Sequence, residues 1–320
     1  MTRPATREVT GLIAAGLAAF FAVTGLVPGS PLVSYAAQPP LGSPETLVLT
    51  ASNATYLSPV TLAEVRDARI VQTRTLTPDD NAGSSSVAVW MVTSSDDDTT
   101  HHQRLEPSAR TFAIDQASGQ LVNCCGASIN GNPLIRQSGL SGYEFPAGTR
   151  KQAYDVFDTV LGRPEPAAYT GTSTIDGIVA YQYTENVVAA QPAFSPLAAT
   201  GPELYTARNS WWVDPETGAV LAIAVAEDAY LADPSAAPVL DADLATTPAT
   251  VTHLAAQDQS ARHQVTVVRD LRLACLVLMV LAAGVAWYAL ARRRPPPSRP
   301  HPRAGRHQGN YHATGIGGPS

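Results

Sequence analysis

Two long uncharged runs constrain this chain more than any other feature. Residues 9–27, VTGLIAAGLAAFFAVTGLV, end at Pro28, and residues 273–291, LACLVLMVLAAGVAWYALA, lie between Arg272 and the triplet Arg292, Arg293 and Arg294. Each run is 19 residues long. At about 1.5 Å rise per residue a helix of that length spans roughly 28 Å, the thickness of a bilayer core. The second run has Leu, Val and Ala facing every direction, without the polar stripe that a helix on a soluble domain keeps. Both runs are therefore expected to be transmembrane helices, with a domain between them.

The first run has a second reading. Arg3 and Arg7 form a basic start and Ser34, Tyr35 and Ala36 a small-residue cleavage site, as in a secretory signal. The apolar run is longer than the roughly 7 to 15 residues of such signals, which favours an uncleaved anchor, but the sequence leaves both readings open. Arginine placement sets the orientation. Six arginines and no acid follow Ala291, so both termini are expected in the cytoplasm and the middle outside.

The resulting division is a cytoplasmic leader (1–8), a transmembrane helix (9–27), a linker (28–44), a β-rich extracytoplasmic domain (45–246), a juxtamembrane helix (247–272), a second transmembrane helix (273–291) and a disordered basic tail (292–320). Between Pro28 and Val268 there are 11 basic and 25 acidic residues, a net of −14. Such a surface does not attract nucleic acid by bulk charge, and the lipid bilayer is the expected partner.

Within the middle region, residues 45–51 (ETLVLTA), 68–76 (ARIVQTRTL) and 85–94 (SSVAVWMVTS) alternate apolar and polar residues as strands do. Two stretches share a turn pattern: TFAIDQASGQLV (111–122) and SWWVDPETGAVL (210–221). Asp115 and Asp214 are placed to accept backbone hydrogens at the turn start, Pro215 presets φ, and Gly119 and Gly218 take the positive φ that closes the loop. Asp176-Gly177, between alternating runs in 173–188, is a type I′ signal. The fold class expected is a membrane-anchored α+β protein, its extracytoplasmic domain predominantly antiparallel β.

Residues 96–103, DDDTTHHQ, read as a solvated hairpin tip. His101 and His102 beside three acids lack both the calcium-loop spacing and a set of four zinc ligands, so no metal is expected. From 247 to 273 Val251, Leu254, Ala255, Ala261, Val265 and Val268 recur at helical spacing, and His253 and His263 fall on different faces.

The segment GLSGYEFPAGTRKQAYDVFD (139–158) resembles the PorA-type domain-of-unknown-function family of actinobacterial membrane proteins. Tyr143, Phe145, Pro146, Gly148, Thr149, Lys151, Tyr154, Phe157 and Asp158 carry the resemblance, along with Tyr181-Gln182-Tyr183, WVDPETG and the two-span layout. Ala147 stands where a second aromatic residue is expected after the proline, and Phe157 where a tryptophan is common. The resemblance implies an actinobacterial envelope protein and brings no catalytic residues and no cofactor.

Three functions follow for comparison. A non-catalytic envelope factor would assist or scaffold assembly of cell-wall lipid or lipoglycan, with other envelope-assembly proteins as partners. Tyr143, Phe145, Trp211 and Trp212 would line its binding groove, although for any single one plain core and hairpin packing is the stronger reading. A pore would need oligomers, or strands forming a barrel with lipid-facing bands, since two helices enclose no channel. A hydrolase or transferase has plentiful acids to draw on, among them Asp155 and Asp158, on one face if their segment is helical, but the chain has no Gly-x-Ser-x-Gly, His-Glu-x-x-His or phosphate loop. Finally, Cys124 and Cys125 are adjacent and, with the middle region outside the membrane, lie where disulfides persist. A vicinal bridge is expected there, as a rigid turn staple.

Overall fold

Period-two alternation turns directly into sheet. The computed structural model describes residues 44–105, 107–193, 203–231 and 238–291, together with Ile13 and Gly16, both helical. In β1 (Glu45–Leu57), Leu47, Leu49 and Ala51 are at most 4% exposed, while the residues between them face outward. β1 pairs antiparallel with β2 (Glu64–Pro78), from Glu45 opposite Leu76 to Leu57 opposite Glu64. That register keeps the apolar faces of both strands on one side of the sheet.

The chain continues through β3 (Val87–Asp98), β4 (Gln103–Arg104), β5 (Ser108–Asp115), β6 (Leu121–Val122), β7 (Ser128–Ile129), β8 (Tyr154–Asp158) and β9 (Arg163–Ile175). It ends its strands with β10 (Ile178–Ala190), β11 (Glu203–Val213), β12 (Val220–Leu231) and β13 (Pro238–Thr246). All join one antiparallel sheet in the order β6-β5-β3-β2-β1-β13-β12-β11-β10-β9-β8, with β4 on β3 and β7 on β5. Most neighbours are joined by hairpins, and β1 beside β13 connects the two halves of the half-barrel.

The segment 137–141 lies between the two end strands. Leu121 of β6 donates its N–H to Gly139 O at 2.8 Å. Leu140 donates to Asp155 O at 2.8 Å and accepts from Phe157 N at 2.9 Å, both on β8. A stretch without regular structure thus satisfies backbone groups that sheet edges leave unpaired.

The buried face is filled with side chains. Leu49, Tyr56, Phe112, Leu140, Val156, Tyr183 and Val213 are each at most 1% exposed.

A long helix, α1 (Pro248–Ala291), follows β13. Thr247 caps it: its Oγ1 accepts the Thr250 N–H at 3.3 Å, and Pro248 occupies the first position, where no N–H is needed. By internal contacts the chain divides into Leu26–Ala274 and a second unit of Met1–Gly25 with Cys275–Ser320. Within the first unit α1 packs Leu254 into the main core and Ala255 against Ile178, Ala180 and Leu221.

Two expectations change. The tip expected over 96–103 is a hairpin tip, with an exposed turn at 99–102 between β3 and β4, but its acids are not all solvated: Asp96 to Asp98 complete β3 and Asp98 is 1% exposed. Asp98 is held by Tyr56 Oη at 3.0 Å, Thr100 N at 2.8 Å and His101 Nδ1 at 2.7 Å. Asp155 and Asp158 stand on β8 rather than on a helix, so a spacing of three puts them on opposite faces. Among the described residues no helix is long and apolar enough to cross a membrane. Apart from Ile13 and Gly16 the 9–27 run, the leader, the linker except for Pro44, and the 292–320 tail lie outside the described residues.

Candidate functional site

The segment Tyr143–Thr149 meets the β11–β12 hairpin. Asp214 begins that turn, its Oδ1 accepting the Glu216 N–H at 2.9 Å, and Gly218 donates to Asp214 O at 2.8 Å. Phe145 N donates to Gly218 O at 2.9 Å, and Glu144 bridges to Ala219. Gly218 has φ +83°, and a Cβ there would sit 2.0 Å from Phe145 O, so no side chain fits.

This docking drives Phe145 into the core. It stacks on Tyr183 at 5.1 Å and meets Tyr154 edge-on at 5.7 Å. Tyr183 Oη donates to Arg150 O at 2.6 Å, Tyr154 Oη accepts from Arg150 N at 2.9 Å, and the Lys151 ammonium lies 5.1 Å from the Tyr181 ring centre. Every residue of the segment that the sequence singles out has a structural partner.

Of the four aromatic candidates, the structure brings together Tyr143, Phe145 and Trp211 in the main core, with Tyr143 stacked on Phe112 at 5.8 Å. Trp212 points to the opposite face, against Ile178, Leu221 and Ala255 beneath α1. The other two turns have the backbone their residues favour: Asp115 Oδ1 accepts Ser118 N at 2.9 Å with Gly119 at φ +71°, and Asp176 and Gly177 adopt φ +45° and +83°.

Sequence reasoning missed the charged groups on the buried face. Arg110 lies between the rings of Phe112 and Phe157, its guanidinium carbon 4.9 and 5.0 Å from their centres. Its Nε donates to Gln137 Oε1 at 2.8 Å and Nη1 to Ser141 O at 3.1 Å, while Nη2 has no partner. Burial lowers the guanidinium pKa to about 10, which leaves it charged. Gln137 is itself fully buried and donates Nε2 to Thr111 O at 2.8 Å. Asn123 grips the backbone of Gln137 twice, Nδ2 to its carbonyl and Oδ1 from its N–H, each at 2.7 Å.

Asp158 and Glu185 face each other from β8 and β10, 5% and 1% exposed. Burial, and then the charge of Asp158, push Glu185 up to about 9, which favours its neutral form beside Asp158, itself raised by burial. Asp158 also accepts the N–H groups of Val160 and Leu161 at 2.7 and 2.9 Å, closing the β8–β9 turn. The signal for these groups was present in the alternation: Arg110 occupies an apolar slot beside Phe112 and Ile114, and Glu185 one beside Tyr183 and Val187.

A third cluster clamps α1 to the sheet. Arg262 binds Asp214 through Nε at 2.7 Å and Nη2 at 3.0 Å. Thr217 Oγ1 lies within hydrogen-bonding distance of Asp214 Oδ2, at 3.0 Å, and of Asp258 Oδ1, at 2.5 Å. Burial, with the neighbouring Asp214, raises Asp258 to about 7.

Cys124 and Cys125 are bonded to each other, and both residues are exposed. Among the described residues no group of three or more His, Cys, Asp and Glu is placed to hold a metal ion. A groove of about 350 Å³ lies on the sheet surface at β10–β13, and Arg208, Asp228, Asp241 and Asp243 are among its lining residues.

These features define an antiparallel half-barrel filled by its own side chains and clamped to a long helix. No curated protein matches the chain. The model of the family described as Porin PorA matches residues 10–288, and the chain belongs to that family.

Proposed function

We propose that the protein is a non-catalytic component of the cell envelope. The runs 9–27 and 273–291 anchor it in the cell membrane, both termini lie in the cytoplasm, and the half-barrel stands outside. There it assists or scaffolds the assembly of wall lipid or lipoglycan. The filled buried face carries this reading: with Phe112, Leu140, Val156 and Tyr183 almost fully excluded from solvent, one chain has its sheet interior occupied by packing. Further support comes from α1, where Leu273, Val277, Val280, Leu281 and Trp287 are each at least 51% exposed, as on a helix that meets lipid.

A second reading is favoured by the family match. Several copies together would form a pore, lined by surfaces that no single chain encloses.

One experiment separates the two. The full chain is purified in mild detergent, its bound molecules are identified by mass spectrometry, and it is reconstituted into planar bilayers. Co-purifying lipid or glycan with no conductance supports the scaffold. A stable multimer with stepwise conductance overturns it in favour of the pore.

A further inference from the structure

The disulfide Cys124–Cys125 is a poor cross-link in the usual sense. A bridge stabilises by removing freedom from the unfolded chain, and that effect grows with the length of the loop it closes. A bridge between neighbours ties together nothing distant, so its effect is on the local backbone.

That backbone is unusual. Cys125 has φ +59° and Gly126 φ +85°, and Ala127 N closes the turn onto Cys124 O at 2.9 Å. A non-glycine residue in the left-handed region carries a cost of about 1 kcal/mol that something must hold in place. The ring formed by the bridge does so. One residue earlier is Asn123, whose side chain holds both backbone groups of Gln137. Gln137 begins the segment that lies between β6 and β8, and its side chain holds buried Arg110 and Thr111 O. The exposed disulfide is thus two hydrogen-bonded steps from a buried cation, through a segment that bonds both of the half-barrel's end strands.

We propose that Cys124–Cys125 is a thiol–disulfide exchange site, and that its redox state sets how tightly segment 137–141 is held. The co-reactant is an external dithiol. One of its thiolates attacks a sulfur of the pair, breaking the Cys124–Cys125 bond and releasing the other sulfur as a thiolate. The second thiol of the reductant then resolves the mixed disulfide. The protein gains two electrons and two protons as two cysteine thiols, and the reductant leaves as its own disulfide. With the ring open, Cys125 returns to ordinary backbone space, Asn123 shifts, and its two bonds to Gln137 are lost.

The test uses the full chain in mild detergent with dithiothreitol as the dithiol. Alkylation and mass spectrometry verify reduction at both cysteines, and hydrogen exchange is followed at Gln137 N–H, which binds Asn123, and Leu121 N–H, which binds Gly139. On reduction both amides are expected to exchange about tenfold faster and to recover on reoxidation, with the β10–β11 amides unchanged. Asn123→Ala is expected to show the fast exchange in both redox states. Reduction of both cysteines with no change at Gln137 and Leu121 would overturn the proposal. So would a bridge that dithiothreitol opens only when the whole domain unfolds.

Discussion

Arg262 holds Asp214 through two parallel hydrogen bonds, 2.7 and 3.0 Å long, with the carboxylate side chain fully buried. Asp214 closes the β11–β12 turn and Arg262 stands on α1, so one ion pair fixes the helix to the sheet. Burial alone would raise the Asp214 pKa, but the Arg262 guanidinium and the Glu216 N–H bring it below the usual carboxylate value. The pair therefore contributes stability above the unfolded carboxylate pKa and loses it as pH falls through the lower folded value. Removing one partner leaves a buried charge or an empty turn. Asp214→Ala and Arg262→Ala are each expected to destabilise the domain by about 3 kcal/mol. Denaturant unfolding measures the loss, and the double variant should cost less than the sum of the two.

Asp258 sits across Thr217 from Asp214, and its pKa, raised to about 7 by burial and then by Asp214, gives the opposite dependence. An acid whose folded pKa lies above its unfolded one binds more protons when folded, so stability falls as pH rises between the two values. For Asp258 that window runs from 3.8 to about 7. Asp258→Asn keeps a neutral side chain beside Thr217 and cannot ionise. Melting temperatures from pH 4 to 7 should show the variant losing less stability than the parent as pH rises, by at most about 1.4 kcal/mol per pH unit.

The sheet was legible because its strands alternate cleanly and its turns carry Asp, Pro and Gly at the positions that need them. Asp176-Gly177 and DPETG state their geometry within a few residues. The disulfide was equally local. The interior polar groups were harder to read because their partners are far away in sequence: Asn123 meets Gln137 and Gln137 meets Arg110 only once the strands have paired. The buried acid of 96–98 was read as solvated for the same reason, since Tyr56, which holds Asp98, lies 42 residues earlier. Asp258 and Arg262, one helical turn apart, gave a local hint of their pairing, but only the fold supplies Asp214 between them.

Gly218 permits the docking of Phe145, and the conformation and the space argue together. The position has φ +83° and leaves 2.0 Å to Phe145 O for a Cβ. Gly148, at φ +76°, has nothing within 4 Å of where its Cβ would be. Gly148→Ala should then cost only the backbone preference, about 1 kcal/mol. Gly218→Ala must also move the 143–146 segment and with it Phe145, at a cost of about 3 kcal/mol or more. Thermal unfolding of the two variants side by side tests whether the close approach, rather than the positive φ, sets the difference.

Glu185 offers the sharpest test of a neutral acid on the buried face. Its pKa is pushed up to about 9, first by burial and then by Asp158, so it is folded as the neutral acid at pH 7 while the unfolded chain carries it ionised. Stability on its account falls as pH rises from 4.5 to about 9. Glu185→Gln keeps an uncharged group of the same shape that can still donate to Asp158. The variant is expected to unfold at a higher temperature than the parent at pH 7, with a margin that widens up to about pH 9. Asp158→Asn should flatten the pH dependence as well, because the neighbouring charge that helps to raise Glu185 is gone, while the amide oxygen can still accept the two N–H groups that Asp158 Oδ1 now takes at the β8–β9 turn. A Glu185→Gln margin that stays constant from pH 5 to 9 would show that no proton is held there.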